Sequence, residues 1–183
     1  MNKRGFIGGV AIAAVGSFLL ASPVFAQEAS PVDEAKAAVA FAEKAVEDAK
    51  AAIASGKQLL ATIPEDSPLM SDVAEAVKAA SENWKVAVES MEGAKATALK
   101  IDTAPNESVA NDFALLAEVN AGVALSGAKV VQIAINYVDV VANNKAEALD
   151  IVRTALQDAV AASSQVQFNC ERVKTYITEK YSK

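Results

Sequence analysis

The chain has 183 residues, 52% of them hydrophobic but only 5% aromatic, with a formal net charge of −6 and no histidine. The missing imidazole removes Ser-His-Asp and Cys-His nucleophile pairs, His-bearing zinc sites, the usual haem ligand and the Glu-x-x-His ligands of di-iron bundles. The acidic balance, with no cluster of cations, speaks against nucleic acid as a partner.

The first 26 residues read as a cleaved export signal. Lys3 and Arg4 form a charged start, residues 6–20 an apolar run, and Val24-Phe25-Ala26 a small-residue cleavage pattern preceded by Pro23. An uncleaved membrane anchor is the rival reading, and Gly8, Gly9, Ser17, Ser22 and Pro23 weigh against it. A periplasmic or secreted protein is therefore expected, with residues 27–183 forming one domain.

Ser30-Pro31 is a helix start signal: serine as N-cap, proline in the first turn, then Asp33 and Glu34 where carboxylates suit the helix dipole. The first helix is expected over 31–63. Val39, Ala42, Val46, Ala49, Ile53, Gly56, Leu60 and Ile63 alternate spacings of three and four, a heptad-like seam. Pro64 and Pro68 end it.

A second helix follows from Ser67-Pro68 or Ser71 to about residue 102. Its seam is Val73, Val77, Ala80, Trp84, Ala87, Met91, Ala94, Ala98 and Ile101. Pro105 breaks the pattern, and a third helix is expected over 106–143. Residues 113–142 are the most apolar stretch after the signal, interrupted in charge only by Glu118, Lys129 and Asp139. Lys129, Gln132, Asn136, Asp139 and Asn143 form one thin polar ridge along it.

The fourth helix, over 145–181, carries Leu149, Val152, Leu156, Ala159, Ser163, Val166, Cys170, Val173 and Ile177 on one stripe. A break at Asn143-Asn144 is expected, with Asn143 left-handed and Asn144 capping the next helix, rather than one continuous rod. Four segments of similar length and short turns predict an all-α fold: a long antiparallel up-down-up-down four-helix bundle with heptad-like seams.

Folding the chain at turns near residues 65, 104 and 143 places Trp84 level with Val46, Ala124 and Ser163. Trp84 is then expected to fill a space bordered by small residues that let the helices approach closely. Trp84, Gly122, Gly127 and Ser163 would line an apolar cavity only if the protein is a carrier of an apolar ligand. Cys170, the one cysteine, has no partner for an intramolecular disulfide and sits on the apolar stripe, where burial as a small hydrophobe is expected.

No CxxC, GxGxxG or Walker lysine is present, the acidic residues fall off the seams as a solvated face, and Glu65, Asp66 and Asp72 lack the spacing of a calcium loop. No catalytic residue, cofactor or metal is assigned. The expectation is a non-enzymatic exported bundle acting by contact with itself or with another exported protein. Leu115, Leu125, Val131 and Ile135 are the candidate interface, because they exceed what one bundle face buries. The alternatives are a carrier of an apolar small ligand or lipid, and a membrane-active protein whose third helix inserts. Asn120, Lys129, Gln132 and Asn136 make insertion costly and so disfavour the last.

Overall fold

The computed structural model describes residues 30–181, so the expected signal segment 1–26 lies outside the described residues. Among the described residues the chain is all helical: α1 Pro31–Leu60, α2 Met70–Ile101, α3 Glu107–Ala142 and α4 Ala146–Tyr181.

The helix ends follow local chemistry. Ser30 Oγ accepts the Asp33 amide at 3.2 Å with Pro31 in the first turn, as the sequence requires. α1 stops at Leu60, three residues short of the expected end, yet Ile63 still tucks under the core through the turn that follows. α2 starts at Met70 without a side-chain cap; Ser67 instead organises the preceding turn, its hydroxyl accepting the Leu69 amide. Asn106 caps α3, its side chain accepting the Val109 amide at 3.0 Å.

The break between α3 and α4 exists, displaced by one residue from the expected geometry. Asn143 is the C-cap, and Asn144, with φ of 51°, takes the left-handed position. The Asn144 amide bonds to Val141 O and the Lys145 amide to Val140 O, the crossed pair of a Schellman turn. Asn144 is thus spent on ending α3 rather than on capping α4.

Packing is centred on α3 instead of closing as a ring. α3 packs against each of the other helices, most extensively α2 and then α1, whereas α1 and α2 meet sparingly and α1 and α4 share no packed interface. Fifteen α3 residues are buried, compared with four on α4: Ala159, Ser163, Cys170 and Ile177. The core is divided lengthwise. One half gathers Ile63, Val73, Val131, Tyr137 and Val138, the other Ala35, Val39, Met91, Ala94 and Ile101. Because most of these are alanine and valine, the helices approach closely and the stability comes from many small contacts.

By length and mean hydropathy α3 could cross a membrane, and 56% of its most apolar window is buried against the other helices. Its polar ridge, with Lys129, Asn136 and Asn143 exposed, is the side that the other three helices leave uncovered.

Candidate functional site

The space between α2 and α4 is bridged by side chains over α3, and the polar residues of the core concentrate there. At one end Tyr137 of α3, almost fully buried, donates its hydroxyl to Asp72 Oδ2 at 3.2 Å. Arg153 of α4 reaches the same carboxylate oxygen at 2.6 Å and also pairs with Asp150 at 3.2 Å. Burial pushes the Tyr137 phenol above its ordinary range, with the neighbouring guanidinium acting against that shift. These residues border an open groove of about 780 Å³, walled by Ala76, Ala79, Leu156 and Val160. Asp72, which the sequence grouped with Glu65 and Asp66, is neutralised here by arginine. Among the described residues no three His, Cys, Asp or Glu side chains converge as metal ligands.

Midway along, the fully buried Ser163 donates to Asn83 Oδ1 at 3.0 Å, accepts from Gln167 and lies 3.4 Å from Ser126 Oγ. Gly127 sits beneath this bridge, where a Cβ would stand 2.8 Å from the Asn83 carbonyl oxygen. Further along, the Cys170 thiol donates to Asn120 Oδ1 at 3.5 Å while Asn120 Nδ2 donates to Leu116 O at 2.9 Å. Burial raises the Cys170 thiol above its usual range, which keeps it protonated and a poor nucleophile. Among the described residues no buried side-chain nitrogen or oxygen is left without a partner, so the seam is a structural fastening for α4.

The four residues of the candidate cavity divide on this framework. Gly127 and Ser163 belong to the bridge at Asn83, and Gly122 lies within ordinary contact of Val166. Trp84 turns elsewhere. It is half-buried between α1 and α2 in a groove of about 320 Å³ lined by Ile53, Gly56, Leu60, Val77, Ala80 and Ile135. The level along the bundle was legible for α3 and α4, since Asn83 beside Trp84 meets both Gly127 and Ser163. The face was not, because α3 occupies the centre. The α1 partner also shifts, from Val46 to Ile53 and Gly56: the ion pairs Lys36–Asp102 and Lys95–Glu43 set a register in which the turn falls later than residue 65.

The four expected interface residues also separate. Val131 is fully buried in the core and offers a partner no surface. Ile135 fills the space left open at Gly56, and Leu125 is half-buried beside Phe41 and Lys129. Leu115 is 42% exposed. It lines a shallow hollow of about 430 Å³ with Val173 and Tyr176 of α4, rimmed by Asn169 and Arg172. Tyr176 and Phe168, which the sequence reading did not single out, are each 60% exposed. Both lie off the α4 stripe, a signal that was present in the heptad register.

No protein-family model, curated protein or solved structure matches this chain. The fold and the side-chain geometry are therefore what a functional reading rests on.

Proposed function

We propose that this is an exported, non-enzymatic helical-bundle protein of the periplasm or extracellular space that acts by contact, first with further copies of itself and otherwise with another exported protein. The observation that carries this is the uncovered apolar surface where α3 and α4 meet: Leu115, Val173 and Tyr176 around a hollow, with Phe168 two turns earlier on α4. Large side chains exposed together beside a cationic rim at Arg172 have the make-up of a contact surface with an aromatic anchor. The export reading rests on the charged, apolar and small-residue pattern of the first 26 residues.

The helices are read as alternating in direction, up-down-up-down. Lys36 with Asp102, Asp72 with Tyr137, and Asp112 with Lys180 each join the beginning of one helix to the end of the next, which supports that reading.

Light scattering of the purified chain across a dilution series, with Leu115→Asp alongside, tests the proposal. A multimer that dissociates on dilution, and that the substitution shifts to monomer with helicity unchanged, is the expected result. A monomer at every concentration ends the self-association form. A photo-cross-linker at Asn169, in the exporting cell, then tests the other form, and the absence of any cross-linked partner overturns it.

A further inference from the structure

The groove beneath Trp84 has a cause in the packing. α1 and α2 each lie against α3 and meet one another only sparingly. Between them Gly56 withholds a side chain, so that Ile135 of α3 reaches across and the indole of Trp84 is left with one flank uncovered. The resulting concavity of about 320 Å³ is at the small end of the range for sites that bind small molecules. Ile53, Leu60, Val77 and Trp84 make its lining apolar.

Its polar lining residues are Lys57 and Ser81. Lys57 is exposed and makes no ion pair with any described residue, although the chain as a whole is acidic. Lys85, one turn along α2 from Ser81, is also exposed and has no acidic partner among the described residues. An apolar slot with an unneutralised cation at its rim favours one ligand chemistry. An aliphatic tail gains by leaving water against the indole and the branched side chains. A carboxylate at the head gains a charge-assisted hydrogen bond from an ammonium that it does not have to take from another acid.

We propose that this groove binds a small amphiphilic carboxylate, its tail lying along Trp84 and Ile135 and its head on Lys57. The larger groove beside Arg153 does not share this character, because that guanidinium is already held by Asp72 and Asp150. The site lies on the α1/α2 side and is independent of the contact surface at Leu115 and Tyr176.

Trp84 is the only tryptophan, so its emission reports on the groove directly. The purified chain is titrated with octanoate, octanol and octyltrimethylammonium, each below its micelle concentration, with circular dichroism checking that the helices persist. Octanoate is expected to give a saturable change in emission and the cation none. Lys57→Gln should weaken octanoate about tenfold, as loss of a charge-assisted hydrogen bond does, while Lys57→Arg retains most of the affinity. No saturable change with octanoate, equal binding of the cation, or an unchanged affinity in Lys57→Gln each overturns the proposal.

Discussion

Gly127 of α3 lies against the backbone of Asn83 on α2 so closely that a single methyl group has no room: its carbon would stand 2.8 Å from the Asn83 carbonyl oxygen and 3.1 Å from Ala87 Cβ. Backbone cannot swing aside as a side-chain tip can. Gly127→Ala should therefore destabilise the bundle by about 1–3 kcal/mol through overpacking, despite alanine's better helix propensity. Gly122 meets only Val166 Cγ1, at 3.9 Å, so Gly122→Ala should stabilise by about 0.5–1 kcal/mol. Urea unfolding of the two variants checks both signs; equal effects would mean that α2 and α3 are not in this close approach.

Asn144 ends α3 in the left-handed region with φ of 51°. Glycine reaches that conformation without a Cβ clash, and alanine lacks the local hydrogen bonding that lets asparagine tolerate it. Asn144→Gly should leave stability unchanged or raise it slightly, and Asn144→Ala should lower it by about 1 kcal/mol. Thermal melts followed by circular dichroism read the difference. Indistinguishable melts would indicate that the helices run on through the turn.

A charge introduced on α3 should have very unequal consequences at two positions that look alike in sequence. Val131→Asp places a carboxylate in the core with no partner, at a cost of several kcal/mol, and should abolish the cooperative unfolding transition. Leu115→Asp, at a half-open surface position, should change stability by about 0.5 kcal/mol or less. Loss of helical signal in both variants would contradict the exposure of Leu115.

The pH dependence should carry two signatures. Lys180 donates to Asp112 at 2.6 Å and the Tyr181 hydroxyl joins it, fastening the end of α4 to the start of α3 and holding this carboxyl below its ordinary 3.8. Since the folded pKa is the lower one, the stabilisation is complete above the unfolded value and is lost as pH falls through the folded value. Asp112→Asn should flatten that acid limb, seen as a smaller fall in urea midpoint between about pH 5 and pH 2.

Tyr137 works in the opposite direction. Its folded pKa is raised above 10.0 by burial, so its contribution is complete below the unfolded value and is lost as pH climbs toward the folded one. Tyr137→Phe should remove that part of the alkaline loss, while forgoing the hydrogen bond to Asp72. An alkaline limb identical to that of the parent would place the phenol in water.

Secondary structure and each helix's inward stripe are set locally along the chain. Ser30-Pro31, Pro64, Pro105 and Asn143-Asn144 are local signals, and the spacing of Val39, Ala42, Ala49 and Gly56, or of Ala159, Ser163, Cys170 and Ile177, identifies a buried side without knowledge of the neighbour. Which helix stands opposite is a tertiary matter. Close approach at Gly127 and a nearly all-round apolar surface draw α3 to the centre, so Val131 is covered, while Trp84 faces a gap between α1 and α2 that no one-dimensional pattern contains. The polar bridge from Asp72 through Asn83 to Asn120 was illegible for the same reason. Asp72, Asn83 and Asn120 are far apart along the chain and fall off the apolar seams, so they look like ordinary surface residues until Arg153, Ser163 and Cys170 of α4 are laid over them.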